Sequence, residues 1–184
     1  MLLVPGTLRR IAEDHRAFEG SRKALVGRFR LLNGGQEIVV INVHLASKRH
    51  QNSIFSETNP GYDSRLDTRV EQAEIIRKTL TTLHAEGVAY YVTGDFNDFE
   101  FSPTLLALEG TESVNVVRNL PGSERFDYNH RGLSQALMHG VVSKTYAANT
   151  RYEVLHGSDL VGVRPGEVGG RATDHACVVA RITL

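Results

Sequence analysis

One cysteine, Cys177, stands in 184 residues, so no internal disulfide can brace the chain. Between Ala176 and Val178 it is expected to be a small buried hydrophobe. No apolar run approaches the roughly 18 residues that a membrane span requires. The N-terminal Met1-Leu2-Leu3-Val4-Pro5-Gly6 lacks a basic region followed by a long apolar stretch, and Arg9 and Arg10 come next, so no signal peptide is visible and the compartment stays open. Net charge is +0, and bulk electrostatics does not point to nucleic acid as a strongly basic domain would. Internal repeats and low-complexity tracts are absent too.

What remains is an ordinary globular composition, 41% hydrophobic and 23% charged. We expect one domain over residues 1–184, large enough to remove roughly 70% of its unfolded surface from water. Charge is uneven along it. Residues 1–50 carry nine Lys/Arg against four Asp/Glu, and residues 51–100 carry four against nine. A basic patch around Arg22, Lys23, Arg28, Arg30, Lys48 and Arg49 is one reading, and solvated strand faces are the other.

Two β-rich runs, 24–32 and 36–45, are separated by Asn33-Gly34-Gly35, whose tolerance of positive φ is the chemistry of a hairpin turn. In the second run Val39, Ile41, Val43 and Leu45 share one face by alternation, and Asn42 and His44 share the other with Ile38 and Val40. The polar stretch 46–63 is long for a connection and suits a functional flap. Leu66, Val70, Ala73, Ile76, Leu80 and Leu83 recur at helical spacing, with Ser64-x-x-Asp67 resembling a capping box and Gly87 in a C-terminal position. Residues 88–93 read as a buried strand, Ser102-Pro103 opens a short helix closed by Gly110, further strands are expected at 135–143 and 176–184, and 157–171 reads as a loop.

Polar residues gather at the ends of these elements. Asp95 and Asn97 follow the buried strand, where an acid and an amide two residues apart can share a phosphate or a metal; capping of local amides is the plainer alternative. His44 ends its strand beside Asn42, and a hydrogen-bonded core-edge imidazole would sit there equally well. Asp174-His175 opens the last strand, pairing a carboxylate for a hard cation with an imidazole able to take a proton; a turn with a surface histidine competes.

Asn42-Val43-His44-Leu45, Arg69-x-x-Gln72-Ala73, Gly94-Asp95-Phe96-Asn97, Tyr128 with Gly132 ahead of the 135–143 string, and Asp174-His175 resemble, in order, the second half of the endonuclease/exonuclease/phosphatase family. The family includes pancreatic deoxyribonuclease and the bacterial extracellular nucleases, of which the latter look closer, and the match runs from about residue 21. The resemblance implies an α/β fold, part of a four-layer sandwich with a mixed, mostly antiparallel sheet and flanking helices. It implies a divalent cation, Mg²⁺ or else Mn²⁺ or Ca²⁺, held by Asp174 with Asp95 and Asn97; these last two would also orient the attacking water and the phosphate. His175 would be base or phosphate clamp, His44 would donate to the leaving oxygen or phosphate, and Asn42 and Arg69 would contact substrate, with an exposed helix arginine as the competing reading of Arg69. A parent protein like the extracellular members would be secreted.

Two departures qualify that picture. Family members carry an aspartate where this chain has Met138 in Leu137-Met138-His139, so His175 is expected to lack the carboxylate that fixes its tautomer. His139 should point to the opposite sheet face and cannot replace it. The family's first half, with its metal-binding glutamate, has no counterpart here, since neither Glu13 nor Glu19 follows a buried strand. An N-terminal portion is thus expected to be missing, and the face bearing Val39, Ile41, Val43 and Leu45 is expected to be bare, favouring a homodimer. The function expected is metal-dependent hydrolysis of phosphodiesters in DNA or RNA, impaired in this chain; the alternatives are a non-catalytic phosphate or nucleic-acid binding domain and a phosphomonoesterase or lipid phosphodiesterase.

Overall fold

Alternating apolar residues and a glycine-rich turn produce the hairpin expected between residues 24 and 45, and the rest of the sheet grows from its second strand. The computed structural model describes residues 3–32, 34–48, 52, 56–58, 61–130, 132–160 and 173–184. In chain order the elements are β1 (Leu3–Arg10), β2 (Leu25–Leu31), β3 (Glu37–His44), α1 (Leu66–Ala85), β4 (Ala89–Asp95), α2 (Pro103–Glu109), β5 (Ser113–Asn115), β6 (Tyr128–His130), β7 (Leu133–Gln135), β8 (Met138–Ser143), α3 (Lys144–Ala147), β9 (Thr150–Leu155) and β10 (Cys177–Ile182). The main sheet has the order β1-β2-β3-β4-β8-β5; only β3 and β4 pair in parallel, because α1 carries the chain back between them. The fold is therefore mixed α/β with a mostly antiparallel sheet and flanking helices.

One face of the sheet is covered by helices. Ala73, Ile76, Leu80 and Leu83 of α1 and Leu105 and Leu108 of α2 pack with Val39, Ile41, Val43, Val92 and Val141 in one buried cluster. This corrects the expectation of a bare face: Val39, Ile41, Val43 and Leu45 are each no more than 2% exposed, since the α1 stripe lies against them. On the opposite face β9 and β10 bring Tyr152, Val154, Val178, Ala180 and Ile182 against Tyr91 and Val142. Because Val178, Ala180 and Ile182 face inward, Cys177 points outward and is exposed, not buried as expected.

Smaller differences have local causes. At the start of α1 the N-cap falls on Arg65, whose side chain makes no cap, and Asp63 Oδ1 accepts the Arg65 N–H at 3.1 Å. At α2 the expected cap does form, Ser102 accepting from Leu105 N–H. The single strand expected over 135–143 is two, β7 and β8, broken where Leu137 and Met138 give their N–H groups to a side chain. Most of the 157–171 loop, and parts of 46–63 with Arg49, lie outside the described residues. No helix among the described residues is long and apolar enough to cross a membrane.

Candidate active site

Three strand ends meet at one rim of the sheet. Leu45 N–H donates to Asp95 O, and Phe96 N–H donates to Leu137 O, both at 2.9 Å, so the ends of β3 and β4 and the start of β8 are pinned side by side. The close approach requires Gly94, where φ is +126° and a Cβ would fall 2.0 Å from Val43 O. Pairing places His44 opposite Asp95 and Asp95 opposite Met138, so these side chains share a face; Asn42, two residues earlier on β3, shares it with them.

Asp95 and Asn97 do come together, through a turn and not through the extended alternation expected. Asn97 takes a left-handed φ of 52°, its N–H donates to Asp95 Oδ1 at 2.8 Å, and its Nδ2 donates to Leu45 O and to Asp95 Oδ2. The capping alternative is thus realised, Asp95 accepting the Asn97 amide. Asp95 Oδ2 lies 3.5 Å from His44 Nε2 and 3.7 Å from His175 Nε2. Burial pushes the Asp95 carboxyl above its usual range, against the Asn97 amide and the two imidazoles.

The two imidazoles are not equivalent. Burial holds His44 below its ordinary value, against the attraction of Asp95. Exposed Arg22 adds to this, with a guanidinium nitrogen 3.2 Å from His44 Nε2. Arginine can only donate, so His44 Nε2 accepts and its proton sits on Nδ1. Burial would also depress His175, but the hydrogen bond and charge of Asp127, with Asp95 and Asp174, outweigh it and raise that group. Asp174 is exposed at the same rim.

Asp127 overturns the expected lack of an orienting carboxylate. Its side chain is fully buried, and Oδ2 lies 2.6 Å from His175 Nδ1. The other oxygen accepts from Leu137 N–H at 2.6 Å and Met138 N–H at 2.9 Å. Tyr128, the next residue, stacks on His175 with ring centroids 4.9 Å apart. Sequence reading missed Asp127 because its partner lies 48 residues away; the available sign was a carboxylate embedded in the Phe126-Asp127-Tyr128 aromatic run.

Arg69 is placed otherwise than a substrate contact requires. It is 0% exposed, and its guanidinium donates to Asp98 Oδ2 at 3.0 Å, to Ala46 O and to Asp63. Helical spacing from Gln72, Ala73 and Ile76 puts it on the stripe that faces the core. His139 is also fully buried, on the helix side as expected, between Asn115 and Asp98 O. Among the described residues the basic patch largely dissolves: Arg28 and Arg30 pair with Glu37, Lys23 donates to Phe18 O, and Lys48 pairs with Asp98 and Asp63, while Arg22 lies beside His44.

No protein-family model and no curated protein matches the sequence. Solved structures do. A truncated Caenorhabditis elegans TDP2 superposes with a TM-score of 0.69 over 99% of this chain and 67% of its own, at 12% identity. The human Nocturnin catalytic domain with bound sulfate gives 0.64 over 98% and 60%, at 11% identity. A mannosyl-6-phosphatase of Bacteroides thetaiotaomicron gives 0.55 over 89% and 57%, at 21% identity. The chain thus shares the DNase-like fold of these neighbours and spans about two thirds or less of their lengths.

Proposed function

We propose that this chain is a hydrolase of phosphate esters, with phosphodiesters of nucleic acid as the leading substrate class. The observation that carries the reading is the convergence of His44 and His175, through their Nε2 atoms, on one half-buried carboxylate, Asp95, at a rim that also holds Arg22, Asn97 and Asp174. A hydrolysis needs an acceptor for the proton of the attacking water, a donor for the leaving oxygen and positive charge for the phosphoryl oxygens. Environments that push two titrating groups apart supply the first two.

His44, held neutral with Nε2 as acceptor, takes the proton from water as its oxygen attacks phosphorus, once Arg22 has left that nitrogen for the phosphate. His175, whose Nδ1–H is committed to Asp127, presents a protonated Nε2 that clamps a phosphoryl oxygen and gives its proton to the departing alcohol as the P–O bond breaks. The clamp implied for His175 is kept, while the roles of base and leaving-group donor are exchanged between the imidazoles. Asn97 and Asp95 orient the water, Arg22 neutralises a nonbridging oxygen, and Asn42 borders the substrate.

Asp174, Asp95 and the Asn97 side-chain oxygen are hard donors for Mg²⁺, Mn²⁺ or Ca²⁺. Among the described residues no group of three or more His, Cys, Asp or Glu is placed to hold a metal ion by itself, so a cation here would have to keep most of its water and share the substrate's oxygens. When bound, such an ion withdraws charge from a phosphoryl oxygen. The same observation favours a second reading, a domain that binds phosphate or nucleic acid without cleaving it. Titration calorimetry with Mg²⁺ and Mn²⁺ separates the two, since the binding module would show no metal site.

The deciding assay follows cleavage of a single-stranded oligonucleotide with Mg²⁺ or Mn²⁺, beside a sugar monophosphate and a phosphoinositide that represent the other ester classes. His175→Ala is expected to lower turnover on the order of 10²-fold or more. Equal turnover by the two proteins would remove the assigned site.

A further inference from the structure

We infer that Asp127, delivered from the start of the β6–β7 hairpin, is the positioning residue for His175 and does the work that a carboxylate at position 138 would otherwise do; the inference rests on the reading of His175 as a working imidazole. Every oxygen position of Asp127 is spoken for. Oδ1 accepts two backbone N–H groups from the entry to β8, Oδ2 accepts from His175 Nδ1, Asp127 N–H donates to Gln135 O, and Asp127 O accepts from Ala176 N–H at 2.7 Å. A buried carboxylate held this firmly can fix both the rotation of the imidazole and which nitrogen carries the proton.

Position 138 explains why one carboxylate excludes the other. Met138 pairs directly with Asp95, so its side chain lies on the site face, and its own N–H already binds Asp127. An aspartate there would face Asp95 across the ladder and crowd a third carboxylate against Asp127, where like charges oppose ionisation. A half-buried thioether fills the same space without charge. The two positions are alternatives: a carboxylate at 127 with methionine at 138, or a carboxylate at 138 with none at 127.

The geometry gives Asp127→Asn a specific consequence. The two N–H groups from Leu137 and Met138 will claim the amide oxygen, which turns the amide NH₂ toward His175 Nδ1 and drives the imidazole proton onto Nε2. Nitrogen-15 chemical shifts of His175, read at one alkaline pH where the ring is neutral, report that change without any assay of activity. Wild type is expected to show Nδ1–H, Asp127→Asn to show Nε2–H, and Asp127→Ala with Met138→Asp to return to Nδ1–H. In oligonucleotide cleavage kcat should fall at least tenfold in Asp127→Asn with KM little changed, and recover to within a few-fold in the double variant. Met138→Asp alone should bring no gain. An unchanged proton position in Asp127→Asn, a double variant no better than Asp127→Ala, or a tenfold gain from Met138→Asp would each overturn the proposal. A wild-type chain without turnover would defeat the hydrolase reading and leave the nitrogen shifts to decide the role of Asp127.

Discussion

His139 is adjacent to the position that decides how His175 is held, yet it serves the fold. Its Nε2–H donates to Asp98 O at 2.8 Å, its Nδ1 accepts from Asn115 at 3.2 Å, and Phe96 meets it edge-on at 5.4 Å. Burial keeps this imidazole below its ordinary value, against the Asp98 carbonyl and the nearby carboxylates. The native state therefore stays neutral where the unfolded chain takes up a proton, and stability must fall as pH drops through the ordinary histidine range near about 6.5. His44 adds to that slope, while His175, raised in the folded state, contributes stability below its unfolded value that is lost as pH rises through its folded one. His139→Gln isolates one contributor. Thermal unfolding between roughly pH 7.5 and 5.5 is expected to show a lower melting temperature at the upper pH, from about 1–3 kcal/mol of lost buried hydrogen bonding, and a flatter decline toward the lower one. Parallel pH profiles for the two proteins would show that this imidazole is not what titrates.

At the scale of elements one tie is ionic. Arg69 from α1, Asp98 just beyond β4, Thr104 from α2, and the half-buried Asp63 and Lys48 from the loop between β3 and α1 form one network that holds both helices to the strand end carrying Asp95 and Asn97. Burial would raise Asp98, but the Thr104 hydroxyl, Lys48 and Arg69 outweigh it and hold the carboxyl below its usual range. Its contribution is present above the ordinary aspartate value of about 4 and disappears as pH falls through the lower folded one. Removing one partner of a buried pair strands the other, so Arg69→Met should cost about 3 kcal/mol in urea unfolding at neutral pH, less where Asp98 is protonated. A loss below about 0.5 kcal/mol would mean that Lys48 alone satisfies Asp98. The periodicity of α1 was legible, and so was the face of Arg69, because Gln72, Ala73 and Ile76 stand three, four and seven residues on; a substrate contact and an exposed helix arginine were expected instead, and neither holds. His44, Asp95 and His175 were legible because each closes or opens an apolar strand. Asp127 was not, since a pairing across 48 residues leaves no local pattern, and β9 passed unread although Tyr152 and Val154 alternate with polar neighbours.

For the whole molecule the two faces of the main sheet have exchanged the parts expected of them. The apolar stripe Val39, Ile41, Val43, Leu45 is sealed by α1 and α2, so it offers nothing to a second copy. The other face is covered over β4 and β8 by β9 and β10, while over β1 and β2 it displays Leu8 and Leu25, 63% and 44% exposed. The register puts those two leucines with Gly27, Phe29 and Val40 on the face that ends at Asn42 and His44. A homodimer, if the chain forms one, has its apolar driving force here and would close over the rim of the site. Burying a leucine contributes roughly 1.5–3 kcal/mol, and each 1.4 kcal/mol is about tenfold in a dissociation constant. Leu8→Lys combined with Leu25→Lys is accordingly expected to weaken self-association at least tenfold in sedimentation equilibrium, and Leu106→Lys, an exposed position on α2, to leave it unchanged. A wild-type chain that sediments as a monomer at every accessible concentration, or a pair of lysines without effect, would show that these leucines are ordinary surface residues and that the rim stays open to substrate from that side.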